Sequence, residues 1–233
     1  ILDLASDFRR ELSLHTAAGS IPIFLGNNLT QRLVKQASKK NLTLFNTVFG
    51  AWFLTLHMMA KEADDITLGT PFDLRSKSTS SSQISSSVGC FSSILPVRSK
   101  ISDTQSMAEF LKQLMSRTLE SFDHPDVPWL SLLKKLQPKR TIAGSNPLFT
   151  TCFSFLSQNY DDFSLPMSES AFDYWLALGK ASSGSLVGML TYDKHVFTRN
   201  TARKVKDRLV RVLEALAFMP WEDSIQSAKE LSK

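Results

Sequence analysis

Cysteine and glycine are both scarce in this chain of 233 residues. Its two cysteines, Cys90 and Cys152, each lie in an apolar run, which argues against a disulfide framework and favours core packing. That cysteine usage is typical of a reducing compartment, and we expect a cytoplasmic location. Nine glycines, without a phosphate-cradling loop or a Gly-x-Ser-x-Gly elbow, argue against a nucleotide site and against a hydrolase nucleophile of that type.

Long apolar runs and concentrated charge are also missing. No apolar stretch approaches the ~18 residues that a membrane-spanning helix needs, and we expect no membrane association. The basic residues are scattered along the sequence, with short pairs such as Arg9-Arg10 and Lys134-Lys135. Nucleic-acid binding, which needs a concentrated basic stripe, is therefore not expected either. The net charge of +5 is mild, and a basic patch would still help to attract an acidic partner. The chain starts with Ile1 rather than Met, and we expect it to be a piece of a longer protein.

Histidines show no catalytic or metal-binding pattern. None adjoins another, and none has metal spacing to Cys, Asp or Glu, so no metal site is expected. One lies in an apolar helix, where it is either a satisfied core imidazole or a functional group, that is, a ligand or a base. Another lies beside two aspartates, as a catalytic pair or as a turn-stabilising cluster. The four are His15, His57, His124 and His195.

Hydrophobic periodicity predicts helices early in the chain, followed by strands mixed with helices. The helix at 41–61 is apolar nearly all round and should be the most buried one. Asn28 is expected to cap the helix before it, and Ser106 or Asp103 a later one. Pro71 should stop a brief strand at 66–69, and Pro96 marks an edge or an end. The serine-dominated stretch 76–87 is predicted to be an exposed loop. The other predicted elements are strands at 20–25, 88–98, 149–156, 174–178 and 186–192 and helices at 130–136 and 200–218. This order indicates an α/β or α+β sandwich.

Four segments together resemble the second half of the condensation domain of nonribosomal peptide synthetases. The first three read Gly-Thr-Pro-Phe-Asp-Leu-Arg at 69–75, Val-Gly-Cys-Phe-Ser-Ser-Ile-Leu-Pro-Val-Arg at 88–98 and His-Pro-Asp-Val-Pro-Trp at 124–129. The fourth segment is 140–149, and its resemblance lies in Ser-Asn-Pro-Leu-Phe at 145–149. The strand and helix that follow, from 188 onward, are similar to the family's closing elements. Each motif is weak alone, but their order and spacing cover nearly the whole chain.

The resemblance implies that 1–233 is a chloramphenicol acetyltransferase-like lobe, a mixed sheet packed by helices. Such domains join a carrier-bound acyl or peptidyl thioester to a carrier-bound aminoacyl amine. Both substrates arrive on phosphopantetheine arms, so no directly bound cofactor is expected. The implied partners are the N-terminal lobe, carrier proteins and a neighbouring adenylation domain. The family's His-His-x-x-x-Asp-Gly motif belongs to the first lobe, and no His-His pair occurs here. We therefore expect no catalytic residue in this chain and no condensation by it alone.

The resemblance also singles out four residues. Arg75 is similar to an arginine that pairs across the lobes with the motif aspartate, and the alternative is a solvated loop arginine. Ser92 and Ser93 line the tunnel in this interpretation, or simply pack within a strand. Asn146 lies near the tunnel or caps the turn before Pro147.

Some positions depart from the family pattern and keep other functions open. Ser93 stands where asparagine is usual, Pro125 replaces glutamine, and the segment 89–92 leans toward epimerization domains. The alternatives are a degenerate lobe that only docks a carrier protein or a neighbouring domain, an epimerization-type relative, and a coenzyme A-dependent acyltransferase.

Overall fold

Six strands and six α-helices are found in the computed structural model, which describes residues 2, 4–10, 17–60, 63–77, 87–138, 146–156 and 169–232. A 3-10 turn, Leu74–Lys77, follows the second strand. In chain order the elements are β1 Ala18–Leu25, α1 Asn27–Lys39, α2 Leu44–Met59, β2 Asp65–Asp73, β3 Ser92–Lys100, α3 Met107–Asp123, α4 Trp129–Leu136, β4 Thr151–Leu156, β5 Tyr174–Lys180, β6 Leu186–Asp193, α5 Arg199–Phe218 and α6 Ile225–Leu231.

The strands form one mixed sheet in the order β1-β6-β5-β4-β2-β3. β4 is parallel to β5 and to β2, and the other neighbours are antiparallel. Alternate side chains point to opposite faces of a strand. One set, with Leu176 and Leu190, joins the main core beneath the helices, while Cys152 on β4 belongs to a smaller cluster on the other face. The predicted fold class, a mixed sheet packed by helices, is confirmed.

Each edge strand of the sheet carries a proline. Pro22 lies in β1 and Pro96 in β3, where neither residue offers a backbone N–H to a further strand. The Ser121 hydroxyl of α3 also donates to the Pro96 carbonyl, at 2.9 Å. Blocked edge groups of this kind oppose pairing with another chain. The prediction that Pro96 marks an edge is confirmed.

Pro71 does not end its strand, contrary to the sequence expectation. β2 continues to Asp73, and Pro71 pairs with Ile94 of β3. On its other side β2 meets β4 at a single position, Gly69 opposite Cys152. Beyond that position β2 is an edge on the β4 side, so a residue without an N–H is tolerated there.

α2 is the buried centre of the helical layer, as its sequence predicted. Twelve of its sixteen residues are buried. Phe49 stacks on Phe153 of β4 with ring centroids 4.8 Å apart, and Trp52 is fully buried. Thr43 and Asn46 begin the helix with a reciprocal capping box.

The caps of two other helices test the sequence reasoning directly. Ser106, rather than Asp103, caps α3, with Glu109 closing a capping box. Asn28 does not cap α1, because the helix begins one residue before it, after Gly26. The Asn28 side chain instead accepts a hydrogen bond from Arg32 Nε at 3.2 Å.

The N-terminal segment is attached to the start of α5. Asp7 Oδ2 accepts from the Thr198 backbone N–H at 2.7 Å, and Oδ1 accepts from the Thr201 hydroxyl at 2.9 Å. Burial would raise the pKa of Asp7, but these hydrogen bonds outweigh it and hold the pKa below its ordinary value. α5 has no acidic residue in its own first turn, so Asp7 supplies the negative charge that a helix N-terminus favours.

The last helix, α6, was not predicted and is tied to the core by a charged network. Lys229 Nζ donates to Asp103 Oδ2 at 2.8 Å, and His57 Nε2 lies 3.3 Å from Oδ1 of the same carboxylate. His57 Nδ1 lies 3.0 Å from the Ala63 carbonyl. His57 is therefore a satisfied core imidazole, the first of its two expected alternatives.

We expect Asp103→Asn to destabilise the chain by about 1–2 kcal/mol at pH 7, because the nearly buried Lys229 ammonium loses its charged acceptor. Burial raises the pKa of Asp103, but Lys229 and His57 outweigh it and lower the pKa overall. A depressed carboxyl pKa contributes stability above the unfolded-state pKa, and this stability is lost as the pH falls through the folded-state pKa. The difference between wild type and variant should therefore shrink on acidification below about pH 4. Urea unfolding at pH 7 and pH 3 measures it, and a difference that grows at pH 3 would contradict the argument.

The two cysteines differ in their surroundings. Cys152 is buried in β4, and burial raises the pKa of its thiol to about 12. Cys90 is exposed just before β3, so the expectation that it packs in the core was wrong. An apolar sequence neighbourhood does not bury a residue that lies in a connection outside the sheet.

Parts of three sequence predictions lie outside the described residues. They concern most of the serine-rich stretch, at 78–86, then His15, and the beginning of the fourth segment, at 140–145. Among the described ranges, no single helix has the length and apolar composition to cross a membrane. Only the pair α1 and α2 passes that test jointly, and its axes are bent by 102°.

Candidate functional site

The four motif segments meet on the face of the sheet opposite α2. Gly69 comes from the first segment, Ile94 from the second, Trp129 from the third and Phe149 from the fourth. Ile94 and Trp129 pack against the buried Phe149, whose ring lies 6.0 Å from that of Trp129 and 5.9 Å from that of Phe172. Segments that are up to about 80 residues apart in sequence thus share one aromatic cluster, which we call the far-face cluster. Its members are Ile94, Trp129, Leu148, Phe149, Cys152, Phe172 and Trp175.

Gly69 is required by this packing. A Cβ at position 69 would lie closer than 3.0 Å to the Phe149 ring and to Ile94. The glycine of the first motif therefore lets an aromatic ring of the fourth motif approach the backbone of β2. This role is structural, and the motif spacing alone could not reveal it.

A cavity of about 660 Å³ lies beside the far-face cluster, between β3, α3 and α4. Apolar side chains such as Ile94 and Trp129 line it, together with several polar and charged groups. A volume of this size suits a small molecule or a short extended chain. The residues around it are Ser93, Ile94, Leu95, Pro96, Arg98, Lys100, Gln113, Arg117, Glu120, Ser121, His124, Val127, Trp129 and Leu132.

Charge around the cavity is partly neutralised within the lobe. Arg98 donates to both Asp65 carboxylate oxygens, at 2.8 and 2.6 Å, and these hydrogen bonds lower the pKa of Asp65. Arg117 pairs with Glu120 at 2.9 Å. Lys100 has no ion pair among the described residues, so the rim keeps a modest positive charge.

Of the four residues named from the resemblance, the structure places only Ser93 at the cavity. Ser92 is exposed at the start of β3. The Asn146 side-chain oxygen accepts from the backbone N–H groups of Leu148 and Phe149, at 2.9 and 3.3 Å. Asn146 therefore caps the turn that contains Pro147, one of its two expected roles, and it holds Phe149 in the far-face cluster.

Arg75 lies in the 3-10 turn after β2, away from the cavity. Its Nη2 donates to the Ser87 carbonyl at 2.8 Å, and its guanidinium lies over the Phe91 ring at 4.3 Å. Its buried Nε has no hydrogen-bond partner. The guanidinium is thus held in place with one donor unsatisfied.

His124 ends α3 and lines the cavity as an exposed side chain. His195 is exposed in the turn after β6, where its backbone N–H donates to Asp193. Within the described ranges, no group of three or more His, Cys, Asp or Glu could hold a metal ion. The arrangement provides an apolar, partly basic wall for a ligand and positions no nucleophile with its base.

Sequence reasoning missed the contribution of α3 to this wall. The only signal for it in the sequence was a set of polar residues at helical spacing, namely Gln113, Arg117, Glu120 and Ser121. Exposed polar residues at such spacing usually form a solvated helix face. Only the position of α3 beside β3 makes them line a cavity.

A family profile described as Condensation domain matches residues 1–228. This chain belongs to the condensation-domain family. Its sequence is 28% identical to tyrocidine synthase 2 of Brevibacillus parabrevis, over 99% of this chain and 7% of that protein. The expectation drawn from the four motifs is thereby confirmed at the level of the family.

Solved condensation-type structures have the same fold. The holo form of AB3403, a four-domain nonribosomal peptide synthetase bound to AMP and glycine, matches with a TM-score of 0.86 at 19% identity, over 97% of this chain and 18% of that one. The X-domain from teicoplanin biosynthesis matches with a TM-score of 0.83 at 19% identity, over 97% of this chain and 52% of that one. The condensation-domain chain thus spans about half of that relative and a small part of the synthetases.

Proposed function

We propose that this chain is the C-terminal half of a condensation domain. The complete domain joins a carrier-bound acyl or peptidyl thioester to a carrier-bound aminoacyl amine. The observation that carries the proposal is the match of nearly the whole chain to about half of the X-domain. The gathering of all four second-half motifs around one cluster and one cavity supports it. The partners are then the N-terminal lobe, carrier proteins that bear phosphopantetheine arms, and an adenylation domain.

The chemistry explains why one half is insufficient. Amide formation needs the amine and the thioester carbon held in line, and such placement can supply about 7–11 kcal/mol of barrier reduction. The cavity beside β3 offers a single wall, and the chain contains no His-His-x-x-x-Asp-Gly motif. The first lobe supplies the opposite wall and the histidine.

We expect no peptide-bond formation when this chain alone is mixed with loaded donor and acceptor carrier proteins. Mass spectrometry of the acceptor arm measures the product. The positive control is the same assay with the complete domain from the parent gene. Turnover by the 233-residue chain above the enzyme-free rate would contradict the half-domain proposal.

A second candidate is a lobe that docks a partner without catalysing condensation. It is favoured by the match to an X-domain solved in complex with OxyB, a condensation-like fold in a complex with another protein. The two candidates differ in the parent gene. A His-His-x-x-x-Asp-Gly segment upstream of Ile1 supports the condensation enzyme, and a degenerate segment supports the docking module.

Arg75→Ala tests the interlobe role proposed for this residue. Among the described residues the guanidinium contacts a carbonyl and a ring near the end of β2, so the substitution should change the unfolding free energy by about 0.5 kcal/mol or less. In the complete domain it should leave an aspartate without its bidentate partner, at a cost of about 3–5 kcal/mol, and activity should fall. Thermal melts of both proteins give the comparison. Equal losses would mean that Arg75 acts within this lobe.

A further inference from the structure

The positive charge of the chain is concentrated in two helices. Ten of the 27 Lys and Arg residues lie in α1, its C-terminal neighbour Lys40 and α5, against two of the 22 Asp and Glu residues, so these 34 residues carry +8 while the rest of the chain carries −3. The expectation that basic residues are scattered was therefore wrong in three dimensions. The ten are Arg32, Lys35, Lys39, Lys40, Arg199, Arg203, Lys204, Lys206, Arg208 and Arg211.

α1 and α5 pack together, so their charges belong to one surface. Arg32 lies over the ring of Phe218, the last residue of α5, at 4.8 Å. Gln36 Nε2 donates to the Met219 carbonyl at 3.2 Å. Lys40 pairs with Glu222 just beyond. α1 therefore lies along the C-terminal end of α5, and we call the exposed faces of the two helices the basic surface.

On α5 the six basic residues form two rows, each spaced i, i+4, i+7. They flank the solvent side of the helix, opposite the buried residues Val205, Leu209 and Val212. Seven of the ten basic residues on the surface have no carboxylate within ion-pair distance in the described parts of the chain. These seven are Arg32, Lys35, Lys39, Arg199, Arg203, Lys204 and Arg208. The surface has more positive charge than the lobe itself neutralises.

Helix stability does not explain this arrangement. Arg199 lies in the first turn of α5, which has no acidic residue of its own. A cation at a helix N-terminus opposes the helix dipole and costs about 0.3–1 kcal/mol. Asp7 already supplies one carboxylate at this N-terminus, and anionic groups of a partner would add to it.

We propose that the basic surface docks the carboxylate-rich face of a partner protein domain. α5 is about 30 Å long, which suits the roughly 800 Å² that each partner buries in a standard interface. A protein fits better than a nucleic acid, because a protein face can place a basic or neutral residue opposite Asp207 and Glu214, whereas a phosphate backbone is negative throughout. Phe218, which is 65% exposed, and Val34, which is 36% exposed, add the apolar contacts found in protein interfaces.

The test uses a charge-reversed variant with a matched control. The variant is Lys35→Glu, Arg199→Glu and Arg203→Glu, and the control is Lys112→Glu, Lys134→Glu and Lys135→Glu on α3 and α4. All six positions are exposed, and both variants change the net charge equally. The probe is the carrier domain encoded beside this segment in the parent gene, a choice that rests on the proposed function. Association rates with the 233-residue chain are measured at low and at physiological salt.

The variant at the basic surface should associate about tenfold more slowly or worse at low salt, and the control within about threefold of wild type. Its melting temperature should stay close to that of the wild type, because all three substituted positions are exposed. If both variants associated equally slowly, the loss of association rate would follow from the change in net charge alone, and the proposal would be overturned. Absence of association by the wild type at low salt would overturn it too. So would salt-resistant binding to a 20-base-pair DNA duplex that the variant abolishes.

Failure of this proposal can be told apart from failure of the proposed function. In the complete domain, small soluble substrate mimics bypass docking, whereas carrier-borne substrates require it. The variant should keep turnover of the mimics and lose turnover of the carrier-borne substrates. If the charge-reversed variant of the complete domain turned over both kinds of substrate at the wild-type rate, the docking proposal alone would be wrong. If the wild-type domain turned over neither kind of substrate, the proposed condensation function would be wrong. The association rates would then still test the basic surface independently.

Discussion

Gly188→Ala should destabilise this chain by about 3 kcal/mol, a large share of the stability of a typical domain. Gly188 lies in β6 between β1 and β5, opposite Ile23 and Leu178. A Cβ there would lie closer than 3.0 Å to the Ala177 carbonyl oxygen and to the Leu178 Cα. Backbone atoms of a paired strand cannot move away as the end of a flexible side chain can. Relieving the contact would therefore require β5 and β6 to separate.

Gly26→Ala is the matched control for this prediction. Nothing lies within 4 Å of a Cβ built at Gly26, and its φ of −58° is open to any residue. The control should cost less than about 1 kcal/mol, since alanine is only a poorer residue than glycine at a helix N-cap. Urea unfolding of both variants, followed by far-UV circular dichroism, gives the comparison. Similar midpoints for the two would show that the sheet accommodates a methyl group at Gly188.

Arg10→Ala should cost about 3 kcal/mol or more, because it leaves a buried carboxylate unpaired. Arg10 donates to both oxygens of Asp173, at 2.5 and 2.8 Å, and the side chains are 18% and 6% exposed. The pair joins the N-terminal segment to the start of β5. It lies beside Phe197, whose ring is 6.0 Å from the guanidinium carbon.

Arg9→Ala controls for the loss of one positive charge in the same segment. Arg9 is exposed, so its removal should change the unfolding free energy by about 0.5 kcal/mol or less. The double variant Arg10→Ala with Asp173→Ala should recover part of the loss, because no buried charge then remains. Equal destabilisation by Arg9→Ala and Arg10→Ala would show that Asp173 is satisfied without this pair.

Local sequence patterns predicted most of the helices and strands, because the residues that form each pattern are the same residues that stabilise the element. The apolar residues of α2 that mark it as buried are the ones that pack on β4. The helix at 225–231 was missed since it is short and its few apolar residues lack a long period. Pro71 misled the strand prediction, because whether a proline is tolerated depends on the neighbouring strand and not on its own sequence.

The candidate site was predictable as a set of segments but not as a site. The motifs at 69–75, 88–98, 124–129 and 145–149 identified the family, and the profile match confirmed it. Nothing in their spacing showed that Gly69, Trp129 and Phe149 would touch, or that α3 would line the cavity with Arg117. Contacts between distant segments depend on sheet order, which the periodicity of each strand leaves open.

The sequence by itself determined the family, the fold class, the buried central helix and the absence of a His-His pair from these 233 residues. Only the tertiary structure decided that Asn146 caps a turn, that Arg10 pairs with Asp173, and that the basic residues of α1 and α5 share one surface. The physical reason is the range of the interactions. Helix periodicity, caps and motifs act over a few residues, whereas salt bridges, cavities and charged surfaces form between segments that folding alone brings together.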